Sequence, residues 1–93
     1  MRYLKYENFA IRSIKRLDPP IQQRVEEEIN KILKNPTQGK LLICNLRGYC
    51  SWSFGDYRIL YKISEEYVTI HLVSHRKDVY KIAARLLQLI LSL

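Results

Sequence analysis

The sequence is poor in the residues that interrupt or cross-link a chain. Its 93 residues contain three glycines, three prolines and two cysteines, and we find no internal repeat, low-complexity tract or linker. Apolar residues make up 47% of the chain, which indicates an ordered globular protein. Its length is sufficient for folding without disulfides or structural metals. We therefore expect a single domain spanning residues 1–93.

Long apolar runs are also lacking. No segment approaches the ~20 apolar residues of a membrane span, and the N-terminus lacks the apolar core of a signal peptide. Cys44 and Cys50 have neither zinc-ligand spacing nor the CxxC redox pattern. We expect a cytoplasmic protein with no membrane partner, whose two cysteines are reduced and structural.

Acidic residues are outnumbered, with 9 against 16 basic residues and a net charge of +7. Such an excess indicates an anionic partner, which would be nucleic acid, an acidic protein or a membrane surface. The alternative is that the excess only serves solubility. Part of the charge is concentrated around the predicted sheet: Arg58, Lys62, Arg76, Lys77 and Lys81.

The stretch from Gly48 to Tyr61 predicts a β-hairpin. Gly55-Asp56 separates two runs of β-forming residues, and glycine is accepted at the first position of a two-residue hairpin loop. The implied register pairs Trp52 with Ile59. One face is predicted to form the core: Cys50, Trp52, Phe54, Tyr57, Ile59 and Tyr61. The other is predicted to be open: Ser51, Ser53, Arg58, Leu60 and Lys62.

A third strand is predicted from Tyr67 to His75. Pairing Tyr61 with Ile70 continues the apolar face into this strand and sets Ile59 opposite Leu72, and this register places His71 and His75 on the open face beside Arg58. The register is less firmly predicted than that of the first hairpin, because Glu65-Glu66 is poor chemistry for a tight turn.

Helices are predicted before and after these three strands in the sequence. After an edge strand from Arg2 to Tyr6, a helix begins near Glu7 or Asn8 and a second begins after Asp18 and ends at Asn35-Pro36. The second helix has an apolar stripe of Ile21, Val25, Ile29, Ile32 and Leu33, with Glu26, Glu27, Glu28 and Lys31 facing outward. We expect this helical hairpin to cover the apolar sheet face and a loop to follow from Thr37 to Arg47.

The last predicted helix is capped by Asp78 and runs from Val79 to about Leu91. It is apolar nearly all round, which packing on one sheet does not satisfy. We expect a partner chain to cover half of it.

Three segments in this order carry a family resemblance: NPTQGKLL, LRGYCSWSFGDYRILY and SHRKDVY. Together with the order of predicted elements, they make the chain similar to the RelE/ParE superfamily of toxins from type II toxin–antitoxin modules, on the RelE side. The resemblance implies an α+β, RelE-like fold. In this fold a small antiparallel sheet has an N-terminal helical hairpin packed on one face and a C-terminal helix.

The resemblance also implies an activity. RelE-like toxins are ribosome-dependent endoribonucleases that cleave messenger RNA in the ribosomal A site and inhibit translation, without a metal or a small-molecule cofactor. The implied partners are the ribosome, the messenger and a cognate acidic antitoxin, which we expect on Leu86, Leu87, Leu89 and Ile90. Two alternatives stay open: a ParE-like non-catalytic toxin that poisons DNA gyrase, and a basic nucleic-acid-binding module without toxicity.

Three catalytic candidates match family motifs. Arg58 corresponds to the arginine of the GDYR hairpin, whose implied role is to hold the scissile phosphate, and its planar guanidinium suits that role. Arg76 matches the arginine of the HRxDVY ending as a second phosphate clamp or an acid, and Tyr80 matches its tyrosine. The alternatives are a solvated Arg58, an Arg76 that is solvated or paired with Asp78, and a Tyr80 that only packs.

The chain departs from the resembling nucleases at Ser51 and Ser53, where those proteins carry basic residues. Serine cannot replace a cation as an acid or phosphate clamp. His75 is then the best local substitute for acid–base work, unless its outward position is incidental. The remaining RNA-binding candidates lie around the same sheet: Ser51, Ser53, Lys62, Lys77 and Lys81.

Overall fold

The computed structural model of the protein describes residues 2–37, 43–44 and 48–91, and the side chains of residues 43 and 86–91 lie outside that description. The strands are β1 (Tyr3–Tyr6), β2 (Ile43–Cys44), β3 (Tyr49–Phe54), β4 (Tyr57–Ile63) and β5 (Tyr67–His75). The helices are α1 (Asn8–Lys15), α2 (Pro19–Lys34) and α3 (Val79–Leu91). The predicted α+β fold, with its helical hairpin and C-terminal helix, is confirmed.

Within the described residues the strands form one sheet in the order β1-β5-β4-β3-β2. The β3–β4 hairpin has the predicted register, with Trp52 opposite Ile59 and Ser53 opposite Arg58. Strands β2 to β5 pair antiparallel, whereas β1 pairs in parallel with β5. The first strand is an edge strand, as predicted. The sheet is mixed rather than wholly antiparallel, because this strand runs parallel to its neighbour β5.

A β-bulge changes the predicted pairing of β4 with β5. Tyr61 lies opposite Ile70 as predicted, but the register shifts between Leu60 and Tyr61, so that Ile59 lies opposite Val73 rather than Leu72. A bulge inserts one unpaired residue into a strand and reverses the faces of the residues beyond it. The consecutive apolar pair Leu72-Val73 is the sequence signal, because it breaks the alternation of the strand.

The main core lies between the helical hairpin and the apolar sheet face. Its buried members come from α1, α2 and the inner face of β3, β4 and β5. They include Ala10, Val25, Ile29, Ile32, Trp52, Phe54, Ile59, Tyr61, Val68, Ile70 and Val73. The phenolic hydroxyl of Tyr61 donates a hydrogen bond of 2.7 Å to the carbonyl oxygen of Pro36. This bond ties the end of α2 to the centre of the sheet.

The cysteines do not follow the prediction. Cys44 lies in β2 directly opposite Cys50 in β3, their Cα atoms are 4.1 Å apart, and the two residues form a disulfide. The expectation of reduced thiols is wrong because residues 37–47 were predicted as a loop, and β2 within it brings the cysteines together. Residues 38–42 and 45–47 of that predicted loop lie outside the described residues.

Glu28 is a second correction, since it is 5% exposed rather than outward-facing. Its Oε1 accepts a hydrogen bond of 3.3 Å from the indole Nε1 of Trp52, and its Oε2 lies 2.7 Å from the ammonium of Lys31. Burial by itself raises the pKa of the Glu28 carboxyl. The hydrogen bonds from Lys31 and Trp52, together with the positive charges of Lys31 and Arg24, outweigh burial and hold that pKa below its ordinary value.

The lowered pKa of Glu28 predicts an acid-sensitive contribution to stability. A carboxyl whose pKa is depressed by folding stabilises the protein above its unfolded-state pKa of about 4.3, and this contribution is lost as the pH falls through the folded-state value. We expect Glu28→Gln to lower the free energy of unfolding at pH 7 by about 1 kcal/mol. The deficit relative to wild type should shrink below about pH 4.

Urea unfolding across that pH range measures this effect, and Glu27→Gln is the matched control because Glu27 is the exposed neighbour on the same helix. Equal losses in both variants, or a Glu28→Gln deficit that does not change with pH, would show that the carboxylate of Glu28 is not specifically stabilised.

Helix α3 packs against β5. Leu72 of β5 and Val79 of α3 are both fully buried and lie outside the main core. Among the described residues no helix is long and apolar enough to cross a membrane.

Candidate functional site

Two arginines meet at the turn between β3 and β4. Arg58 follows the turn, and its Nη1 donates hydrogen bonds to the carbonyl oxygens of Tyr57 at 2.8 Å and Gly55 at 3.3 Å. Arg76 follows β5, and its Nε lies 3.6 Å from Oδ1 of Asp56. The backbone N–H of Arg76 also donates to the carbonyl oxygen of Asp56 at 2.8 Å. Both guanidinium groups are thereby held at one end of the sheet.

The neighbours of Arg58 on the open face are serines. Ser53 of β3 lies opposite Arg58 on one side, and Ser74 of β5 lies opposite it on the other. Ser53 is half-buried, as is Ser51 two residues earlier on the same face of β3. A guanidinium carries five N–H donors, so Arg58 keeps donors beyond the two bonds made by Nη1. This arrangement offers a fixed cation beside small hydroxyl groups, which suits a phosphate group.

His75 does not lie on the open face beside Arg58. It pairs with Tyr57, and the two rings make an edge contact with centroids 5.5 Å apart. Tyr57 packs against the main core, so His75 lies on the core side at the end of the sheet. The prediction of its outward position is wrong because the bulge shifts the register. The Nδ1 of His75 accepts the backbone N–H of Lys77 at 3.2 Å, which leaves Nε2 as the protonated nitrogen of the neutral ring.

The remaining candidates follow β5 at the same end of the sheet. Tyr80 lies in the first turn of α3 with 60% of its surface exposed, so most of its ring is not packed into the core. Arg76 pairs with Asp56 rather than with Asp78, which was the alternative considered for it. Lys77 and Lys81 are exposed and add positive charge beside these groups.

Lys62 belongs to the other end of the open face. It lies four residues from Arg58 along β4, which is about 13 Å in a strand. Its ammonium lies 4.9 Å from the ring centre of Tyr49, the residue opposite it on β3. The ring of His71 also packs against Tyr49, with the two ring centroids 5.7 Å apart. Burial lowers the pKa of His71, the carboxylate of Glu7 acts in the opposite direction, and Lys62 lowers it further.

Sequence reasoning missed several of these contacts. Asp56 and Ser74 were not predicted as site residues. Asp56 contacts Arg76 only because the fold brings the end of β5 to the β3–β4 turn, and Ser74 lies opposite Arg58 only because of the bulge. Tyr49 and His71 were not predicted as site residues either. Across residues 2–37, 43–44 and 48–91 we find no group of three or more histidine, cysteine or acidic side chains arranged to hold a metal ion.

An open groove of about 590 Å³ lies between the two N-terminal helices, where its lining includes Ile11, Ile14 and Gln22. None of the predicted catalytic or RNA-binding residues lines it. The side chains predicted to bind an antitoxin lie outside the described ones: Leu86, Leu87, Leu89 and Ile90. Their backbone belongs to α3.

Comparison with known proteins defines the class of this fold and site. Residues 4–80 match the family of ParE toxins of type II toxin–antitoxin systems, parDE. The chain is also 33% identical over 82 residues to Toxin RelG of Mycobacterium tuberculosis (strain ATCC 25618 / H37Rv), covering 84% of this chain and 94% of that protein. The protein therefore belongs to the ParE toxin family, within the RelE/ParE superfamily of type II toxin–antitoxin systems.

Solved structures agree with this assignment. The toxin–antitoxin complex RelBE2 from Mycobacterium tuberculosis contains a chain that is 31% identical, with a TM-score of 0.68 over 80% of this chain and 96% of that one. The isolated RelE toxin from E. coli superposes with a TM-score of 0.70 over 94% of this chain and 99% of that one. At 16% identity the second likeness shows the fold alone.

Proposed function

We propose that the protein is a ribosome-dependent endoribonuclease that cleaves messenger RNA in the ribosomal A site and thereby inhibits translation in the cytoplasm. The observation that carries the proposal is the convergence of Arg58 and Arg76 on one turn at the end of an open sheet face. The match to RelG and the RelE-like fold support it. RNA cleavage by attack of a ribose hydroxyl needs cations for the charge that grows on phosphate, and this turn supplies two.

In the proposed reaction, a ribose 2′-oxygen bonds to the adjacent phosphorus while the bond from phosphorus to the 5′-oxygen breaks. The hydroxyl proton passes to a base, and the leaving oxygen takes up a proton. Arg58 stabilises the phosphorane-like charge, because its guanidinium is fixed in charge and held by Gly55 and Tyr57. Arg76 is the second clamp, and the exposed Tyr80 positions the hydroxyl or stacks on a base.

In this proposal His75 would reach the RNA from the end of the sheet, whereas the sequence predicted that it would do so from the open face beside Arg58. Its Nδ1 accepts the N–H of Lys77 and its neutral ring carries the proton on Nε2, so Nε2 would donate a hydrogen bond to the RNA from the end of the sheet. Acid–base work by His75 would first require the bond from Lys77 to Nδ1 to break. Ser51 and Ser53 would contact RNA as neutral hydroxyls rather than as cations. Lys62, Lys77 and Lys81 would supply the remaining phosphate contacts.

We further propose a cognate acidic antitoxin as partner, since the relative from M. tuberculosis is found in a toxin–antitoxin complex. A net charge of +7 favours an acidic chain. The predicted contact is the C-terminal part of α3, including Leu86, Leu87, Leu89 and Ile90. Purification with the product of the neighbouring reading frame tests this pairing. If the protein encoded by the neighbouring reading frame is not acidic, or does not copurify with this protein, the proposed pairing is rejected.

Primer extension on translating ribosomes tests the nuclease directly. Cleavage of the message within the codon in the A site is expected when the purified protein is added, and none when ribosomes are omitted. A ParE-like gyrase poison is the second candidate, favoured by the serines at positions 51 and 53, where a cation would serve cleavage. An intact message together with gyrase-dependent DNA damage would establish that candidate instead.

Ribosome or RNA binding should also depend strongly on salt, because Lys62, Arg76, Lys77 and Lys81 would displace counterions from phosphates. Each neutralised phosphate contributes a slope of about −0.7 to −0.9 in log affinity against log salt. Titration between about 50 and 200 mM salt measures the slope, and four such contacts predict a loss of affinity of about 50- to 150-fold. An affinity that does not change over that range would argue against a phosphate-rich partner.

A further inference from the structure

The end of the open face opposite the arginines carries an aromatic arrangement to which the proposed function assigns only a phosphate contact of Lys62. Tyr49 of β3 is 38% exposed, and the ammonium of Lys62 on β4 lies 4.9 Å from its ring centre. His71 of β5 contacts the same ring at 5.7 Å with the two planes inclined by 48°. Three neighbouring strands therefore present two aromatic rings and one cation at a single place, which we call the Tyr49 platform.

We propose that the Tyr49 platform is a subsite for single-stranded RNA, in which a base stacks on the exposed part of Tyr49 and Lys62 holds its phosphate. Proteins that hold single strands combine aromatic rings for bases with cations along the backbone. A lysine already held against an aromatic ring loses less freedom when it binds phosphate than one that moves freely in solvent. The inference rests on the proposed function and adds to it a second point of contact with the messenger.

The position of the platform agrees with this ligand. Lys62 and Arg58 lie on the same face of β4, about 13 Å apart along the strand. Leu60 and Ser51, which pair with each other, lie between them on that face. A strand whose scissile phosphate lies at Arg58 would therefore reach Tyr49 by following β4, without crossing an edge of the sheet.

The next strands repeat the pattern of lysine on tyrosine. Thr69 of β5 lies between Lys62 and Lys5 in register, and the ammonium of Lys5 lies 5.5 Å from the ring centre of Tyr67. Among the residues that the structure describes, three glutamates lie near this end of the sheet: Glu7, Glu65 and Glu66. Glu7 acts on His71, and the other two lie in the β4–β5 turn, beyond the row that holds Lys62. Lys62 and Lys5 thus each lie against a tyrosine ring, so that a cation for phosphate and a ring for a base are side by side.

A non-cleavable RNA tests the platform apart from catalysis. The probe is a single-stranded hexanucleotide with 2′-O-methyl groups, which lacks the attacking hydroxyl, titrated into the full chain with amide shifts followed by NMR. Shifts at Tyr49, Lys62 and His71 are expected in addition to those near Arg58. Shifts confined to the Arg58 end would overturn the subsite and leave the proposed nuclease standing.

Variants give the energetic test. Tyr49→Ala should weaken binding of the hexanucleotide by about 5- to 100-fold, as removal of a stacking ring does, whereas Tyr49→Phe keeps the ring and should stay within about twofold. Lys62→Ala should reduce the salt slope by about 1, and Lys34→Ala, which removes the same charge from the end of α2, should leave affinity for this probe unchanged.

The outcomes separate the two proposals. Wild-type affinity of a folded Tyr49→Ala protein overturns the platform. So does binding of an acidic peptide, but not RNA, at the same amides, because the surface would then be a protein-docking site. Loss of cleavage on ribosomes with intact RNA binding at Tyr49 would reject the proposed nuclease alone.

Discussion

Arg58→Ala is expected to reduce messenger cleavage on ribosomes by about 10²–10³-fold, the usual cost of removing one preorganised donor from a transition state. The fold should persist, because Arg58 lies on the open face and its visible contacts are two bonds to the carbonyl oxygens of Gly55 and Tyr57. Their loss would cost about 1 kcal/mol. Primer extension gives the rate, and urea unfolding shows whether the fold is intact.

Three further variants sharpen the Arg58 experiment. Arg58→Lys should restore cleavage only in part, since a point charge replaces a planar fork. Ser53→Arg restores a cation directly opposite Arg58 and should raise cleavage if the serine weakens the site. Arg12→Ala removes an exposed arginine from α1 and should cleave like wild type. A folded Arg58→Ala protein that cleaves at the wild-type rate would remove Arg58 from the mechanism.

Gly48→Ala is expected to lower the free energy of unfolding by about 3 kcal/mol, through a strained backbone and a forced displacement of the adjacent strand. Gly48 has a φ of +86°, and a Cβ atom there would lie 2.8 Å from the carbonyl oxygen of Ile63. The same glycine accepts the N–H of Ile63 through its own carbonyl at 2.9 Å. Relief of the clash therefore requires movement of β3 away from the end of β4.

Gly55→Ala is the matched control, because Gly55 also has a positive φ, +52°, but an added Cβ would meet nothing within 4 Å. It should cost about 1 kcal/mol, the strain of a left-handed conformation alone. Urea unfolding of both variants measures the difference. Equal losses would mean that the close approach of Gly48 to Ile63 does not stabilise the start of β3.

Ser51 and Ser53 lie on the open face of the β3–β4 hairpin, opposite Leu60 and Arg58 respectively, so neither side chain is needed for the core. Substitution there should change activity more than stability. The ladder itself is held by the alternate residues Cys50, Trp52 and Phe54, which are buried.

Local patterns in the sequence were sufficient to predict most of the architecture. The alternation of apolar and polar residues around Gly55-Asp56 determined which residues of β3 and β4 face the core, because side chains alternate strictly along a strand. Helical spacing of Ile21, Val25 and Ile29 likewise determined the buried side of α2. These features depend on residues close together in the chain.

Only the tertiary structure decided the features that need a second segment. The bulge in β5 moves His75 to the core side and brings Ser74 beside Arg58, and nothing local to Arg58 specifies that shift. The pairing of Cys44 with Cys50 depends on a two-residue strand too short to produce a periodic pattern. Glu28 is buried because Trp52 of the sheet and Lys31 of its own helix satisfy its oxygens. Periodicity reports the average environment of a face, whereas a hydrogen bond or a register shift depends on one partner brought there by the fold.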